Sequence, residues 1–360
     1  MAGFLNEFLH TEIAALGRKD PPRVHLAIFG KHPGWNDHIE DIGLDTRTLI
    51  DAKRYLYLQG LSGQIDLNAW EKLPDDARLE GFDHWVLWHR PGECLVGRLW
   101  SSSDGKGRTR YPMILLAQVI GAPLLPVLRD LAPLLETLAQ QCRAATTAAE
   151  VQRIAAAGLA TLRAKVAQDE STGEPPLLPD GLLKAATGPE GWARIFHAVV
   201  NQLSPYAPGT IAVKAESAPK GRHLRLPRLA GGAEAALAGW TAFLMTQIDW
   251  SVPVLSLLPV AESWVDVVVG EPAGADFFCL RANRKSLPLT EDVPYQITPA
   301  LQQAVASVYD GEPGGGLPAR SIFSRKPTGA GVNALLSRRD ALRSEAGAGL
   351  FKKFRTLLSG

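Results

Sequence analysis

Apolar positions along the chain follow two different periods. Val24–Phe29 is a nearly unbroken apolar run closed by Gly30, which predicts a strand. His84–His89 and Cys94–Trp100 are similar runs split by Pro91-Gly92, the pattern of a hairpin, and Arg110–Ile120 predicts a further strand. Between the first strand and the hairpin, Leu49, Ala52 and Leu56 share a helical face that Tyr55 and Tyr57 broaden. Asp45 is its expected N-cap and Gly60–Gly63 its expected end. From Pro123 the period lengthens. Leu128, Leu131, Leu135, Leu138 and Cys142 mark one helix, and Val151, Ile154, Leu159, Leu162 and Val166 a second. Trp192, Ile195, Phe196, Val199, Val200 and Leu203 mark a third. Strand character returns at Thr210–Ala215, His223–Leu226, Val252–Leu258, Trp264–Val269 and Phe277–Leu280, with helices expected at Ala233–Ile248 and Pro299–Tyr309.

These elements predict an α+β fold, a mostly antiparallel sheet flanked by helices, with a helical insertion and a second, smaller α/β part. The composition shifts divide the chain into an N-terminal α/β domain (1–122), a helical insertion (123–205) and a strand-containing part (206–310) that completes the sheet or packs on it. A linker and basic amphipathic tail (311–360) follow. Gln168–Pro189 is rich in Pro, Gly and acid and reads as a loop; Gly311–Gly316 opens the linker. At the start, Phe4, Leu5, Phe8, Leu9, Ile13 and Leu16 fall at helical spacing, with Pro21-Pro22 blocking continuation.

Composition narrows the classes. The 360 residues are 46% hydrophobic and 21% charged, ordinary for a globular protein, and the formal charge of +1 gives no global attraction to nucleic acid. Cys94, Cys142 and Cys279 lie far apart without metal-ligand spacing, as expected for small buried hydrophobes in a reducing compartment. Glu7 and Glu12 interrupt the first residues, so no signal peptide is expected, and a cytoplasmic location is. The tail sets Leu350, Phe351, Phe354, Leu357 and Leu358 against Lys352, Lys353 and Arg355, so membrane contact is expected to be peripheral at most.

The chemistry-bearing residues gather in two loops. Ala27–Gly43 sets Lys31, His32, Asp37, His38, Glu40 and Asp41 in a Gly/Pro loop after the first strand. His32, His38 and Asp37 are ligand types for a metal, as in a metal-dependent hydrolase, but their spacing matches no zinc motif. Gly30-Lys31 lacks the upstream glycine and the following Ser or Thr of a phosphate-binding P-loop. The second loop, Ser101–Arg110, combines three serines, Gly105 and Gly107 with Lys106, Arg108 and Arg110, the makings of an anion nest. No nucleophile elbow accompanies its serines. Trp35, set between Gly34 and Asn36, is placed to anchor a contact.

At these loops the sequence resembles the TagF/ImpM family, accessory regulators of bacterial type VI secretion. The resemblance rests on Phe29-Gly30-Lys31-His32-Pro33 followed by Asn36-Asp37. It rests equally on Ser102-Ser103-Asp104 followed by Gly107-Arg108-Thr109-Arg110-Tyr111-Pro112, with Leu99 and Trp100 in the preceding strand. It covers roughly Val24–Val119, with a fainter echo in Pro253–Val269. His38, Glu40 and Asp41 add charge where the family is plainer, and the helical middle and long tail extend the minimal domain. The resemblance implies a longin-like fold and a non-enzymatic regulator without cofactor, acting by contact with a forkhead-associated scaffold protein. A small-GTPase-binding platform is a further alternative, since longin-like sheets serve that role. On this reading Lys31, Trp35, Asp37, Asp104, Arg108 and Arg110 meet at the sheet edge. Trp35 would anchor a partner, the arginines would take acidic or phosphorylated groups, and Asp37 would orient the basic cluster.

Overall fold

The computed structural model describes residues 21–168, 187–206, 220–245, 247–249, 251–297 and 299. The expected N-terminal helix, the Thr210–Ala215 strand, the Pro299–Tyr309 helix beyond its first residue, the linker and the basic tail lie outside the described residues, as does most of the Gln168–Pro189 loop. Seven strands form one antiparallel sheet. They are β1 (Arg23–Gly30), β2 (Asp83–Arg90), β3 (Glu93–Ser101), β4 (Pro112–Ile120), β5 (Arg222–Pro227), β6 (Val254–Pro259) and β7 (Trp264–Val269). Their order is β1-β4-β3-β2-β6-β7-β5. The fold is α+β. The later strands continue the first sheet, because β6 pairs with β2 from Val254↔His89 to Pro259↔His84.

Strand alternation sorts the core into two layers. Val24, Leu26 and Ile28 of β1, Leu87 of β2 and Val96 of β3 face one side with Val265 and Val267 of β7. There they meet α3 (Leu124–Ala144) and α4 (Ala148–Gln168), with α5 (Pro189–Leu203) and α6 (Ala233–Met245) beside them. Ala27, Phe29, Val86, Trp88, Leu95 and Leu99 face the other side. That layer is covered by a continuous helical run: α1 (Arg47–Ala52), a π-helix (Lys53–Ser62) and α2 (Gly63–Asp66), with the 3-10 turn Gly274–Leu280 against it.

Three local expectations are corrected. The N-cap of α1 is Thr46, whose hydroxyl accepts the Leu49 N–H at 3.2 Å, not Asp45. Gly60 does not end the helix; it is where the helix meets Phe277, whose ring lies 2.6 Å from where a Cβ would stand. Phe277–Leu280 is a 3-10 turn rather than a strand, begun where the Asp276 carboxylate accepts the Ala273 N–H at 2.7 Å.

Both sheet edges are blunted against further strands. Ile28 of β1 exchanges two backbone hydrogen bonds with Ile42 (3.0 and 3.1 Å), and Arg163 of α4 donates to the Val24 carbonyl. On β5 the Arg225 N–H goes to the Thr290 hydroxyl at 3.1 Å, and Trp240 Nε1 donates to the Pro227 carbonyl at 2.6 Å. Under that edge lies a buried ionic group. Arg225 grips Asp266 with two hydrogen bonds (Nε–Oδ1 2.7 Å, guanidinium–Oδ2 2.9 Å) and stacks over Trp264. Among the described residues no helix is long and apolar enough to cross a membrane.

Candidate functional site

β1 ends at Gly30 with φ +109°, a backbone state that favours glycine, and a Cβ there would stand 2.3 Å from the Pro112 carbonyl. The chain therefore leaves β1 pressed against the start of β4, and Lys31 N–H donates to that same carbonyl at 3.1 Å. The first loop then turns back, with Ile39 N–H donating to the Gly30 carbonyl at 2.8 Å and a bridge between Lys31 and His38. The second loop, between β3 and β4, is wound around one side chain. Asp104 Oδ1 accepts the backbone N–H groups of Lys106 and Arg108, both at 3.0 Å.

The two loops close on each other through charge. Lys31 Nζ donates to Asp104 Oδ2 at 2.6 Å and to Asp37 Oδ1 at 3.1 Å. Arg108 donates to the same two carboxylates, at 2.6 Å to Asp104 and 3.1 Å to Asp37, and to the Asn36 carbonyl. Lys31 and Asp104 are only 3% and 2% exposed, whereas Asp37 and Arg108 reach solvent. Burial alone raises the Asp104 carboxyl; the hydrogen bonds from Lys31 and Arg108 outweigh it and hold the group well below the usual carboxylate range. The Lys31 hydrogen bond likewise holds Asp37 down. Every oxygen of Asp104 is engaged, so the group works as a clasp and offers no reactive atom.

Lys31, Asp37, Asp104 and Arg108 thus form one network. Trp35 joins it through its carbonyl, which accepts Gly105 N–H at 2.7 Å; its half-buried indole lies edge-on to His32 and against the core. Arg110 turns away to the Ile65 carbonyl (2.6 Å) and Asn68 Oδ1 (2.7 Å), tying the loop to the end of α2. The alternative metal set does not assemble. His32 accepts Gly34 N–H at Nδ1 and donates Nε2–H to the Cys142 carbonyl, both at 3.0 Å, so neither nitrogen has a lone pair for an ion. His38 instead contacts Asp37 and lies edge-on to Tyr57 and Tyr111.

Beside the clasp lies an open cleft of about 700 Å³ whose lining includes Lys31, Arg108, Arg110, Tyr111, Phe82 and Arg281, with the acids Glu71 and Glu80. A second hollow of about 440 Å³ meets it at Phe82 and Ser101 and is lined by Trp100, Ser102, Ser103 and Arg143. Comparison of the chain with protein-family models, with curated proteins and with solved structures finds no match. The part that Arg281 takes in this lining was invisible in the sequence. Arg281 stacks over Trp70 and Phe82 (5.8 and 5.6 Å) and donates to the carbonyls of Leu79 and Glu80, contacts across about two hundred residues of chain. Tyr57 and Tyr111 pack 6.0 Å apart beneath the clasp; Tyr111 stood in the second motif, whereas Tyr57 carried no signal beyond ordinary helix composition.

Proposed function

We propose that the protein is a non-enzymatic, cytoplasmic regulator or adaptor of a type VI secretion-like system, and that it acts by protein–protein contact at the face made by the two loops. The observation that carries this reading is the buried Lys31–Asp104 pair with Arg108 laid over it. A clasp of this kind fixes two distant turns into one surface and leaves its charges matched internally, which suits recognition rather than turnover. The cleft next to it offers Arg110, whose hydrogen bonds run to neutral acceptors, together with Arg281 and the ring of Tyr111. Paired arginines beside an aromatic wall suit an acidic or phosphorylated partner segment. The loop residues that resemble the TagF/ImpM family are the residues of the clasp and of this lip. That coincidence supports a forkhead-associated scaffold as the partner.

The test is co-purification of a forkhead-associated scaffold protein with the tagged full chain and with Arg110→Glu, the fold of each checked by circular dichroism. Retention by the wild type and loss with Arg110→Glu supports the reading. Equal retention by both, or retention of a small GTPase in place of the scaffold, overturns it.

A further inference from the structure

At the opposite edge of the sheet, β5, β7 and the Gly274–Leu280 turn bring together three metal-ligating side chains. The imidazole of His223, the carboxylate of Asp266 and the thiol of Cys279 place one ligand atom each within 4.8 Å of one another. Asp266 and Cys279 are buried, and the His223 side chain keeps 19% of its surface exposed, which gives an entry path. The carboxylate is already oriented. Asp266 Oδ2 is held by Arg225 at 2.9 Å and Trp264 Nε1 at 3.2 Å, while Oδ1 accepts Arg225 Nε at 2.7 Å and faces His223 Nε2 at 2.8 Å with its remaining lone pair. Such outer hydrogen bonds are what fix a ligating carboxylate in a metal site.

We propose that His223, Asp266 and Cys279 form a binding site for a transition-metal dication of the zinc type. Thiolate, imidazole and carboxylate are the donor set that this ion prefers, with metal–ligand bonds of about 2.0–2.3 Å. Seating the ion pushes His223 and Asp266 slightly apart and draws in the sulfur. Burial holds the Cys279 thiol well above its ordinary range, so the ion must displace that proton to solvent. His223 binds through Nε2 with its proton on Nδ1, Asp266 binds through Oδ1, and water fills the fourth position. Arg225 opposes the ion's charge; the thiolate and carboxylate together match the two charges of the ion, and the guanidinium leaves the group one positive charge in excess. The bound ion would pin the Gly274–Leu280 turn, and with it the wall that carries Arg281, to the sheet.

The test titrates Co²⁺ into the chelator-treated full chain. The expected result is a thiolate-to-cobalt absorption band in the near ultraviolet that saturates at about one ion per chain and is displaced by Zn²⁺. Cys279→Ser abolishes the band, Cys142→Ser leaves it intact, and His223→Gln, at a partly exposed position, weakens cobalt binding at least tenfold. The wild-type titration stands whether or not the variants fold. Absence of the band in the wild type, or its persistence in folded Cys279→Ser, overturns the proposal.

Discussion

Lys31 is a cation with 3% of its surface exposed, and Asp104 supplies the opposite charge that makes the position tolerable. Removing Lys31 leaves the buried Asp104 charge to Arg108 alone, and removing Asp104 leaves Lys31 to the exposed Asp37, whereas removing both leaves no buried charge. Lys31→Met and Asp104→Asn are each expected to lower the thermal midpoint by roughly 5 °C, and the double variant by less than the sum, in a double-mutant cycle followed by thermal melts. His84 offers a pH handle. Burial pushes its imidazole down to about 4; Nδ1 accepts Asp83 N–H, and Nε2 has no hydrogen-bond partner among the described residues. In the unfolded chain the group titrates near 6.5, so the unfolded state binds more protons between those values. Stability from this group is complete above about pH 6.5 and is lost as pH falls toward 4, by about 3 kcal/mol in all. Urea unfolding at pH 7 and pH 4 measures it; His84→Leu is expected to lose less stability by about that amount across the interval. At this scale the sequence showed which loops held chemistry but not how each side chain is used. His32 and His38 looked alike in the loop, yet one is pinned to Cys142 and the other packs on tyrosines.

At the scale of elements, the helical run from Arg47 to Asp66 carries two glycines with opposite roles, Gly60 in its π-helix and Gly63 at the start of α2. Gly60 lets the helix approach Phe277, and a Cβ there would stand 2.6 Å from its ring and 2.8 Å from the Tyr55 carbonyl. Gly63, next to the helix end, has φ −59° and nothing within 4 Å of a Cβ. Gly60→Ala is expected to destabilise by about 1–3 kcal/mol. Gly63→Ala is expected to stabilise by about 0.5–1 kcal/mol, because it only narrows the unfolded ensemble and improves helix propensity. Chemical denaturation of both variants checks the pair. The two glycines are indistinguishable in the sequence, where both read as a stop. What separates them is Phe277, more than two hundred residues away. The hairpin at Pro91-Gly92 and the Leu128–Cys142 face were legible because turn residues and a helical period are local. Phe277–Leu280 has strand composition but becomes a 3-10 turn, since it covers the sheet instead of joining it.

At the scale of the molecule, the sheet is built from two separate stretches of the chain, 23–120 and 222–269. β2 sits between β3, its neighbour in sequence, and β6, about 170 residues on. The antiparallel α+β class followed from the strand runs and short turns. The single shared sheet did not, because a composition shift marks the helical middle whether it stands apart or, as here, covers one face. A fragment ending at residue 205 is expected to lack a cooperative unfolding transition and to aggregate, since it bares the β2 edge and the Leu87 and Trp88 faces. Size-exclusion chromatography and thermal circular dichroism read that outcome directly. Two loops about seventy residues apart in sequence are joined by the Lys31–Asp104 bond, and we propose that they act as one recognition face. Titration calorimetry of the forkhead-associated scaffold against three proteins tests it: the wild type, Asp37→Lys on the first loop and Arg110→Glu on the second. Both variants are expected to bind at least about tenfold more weakly while their folds persist. Unchanged affinity in either folded variant would contradict it.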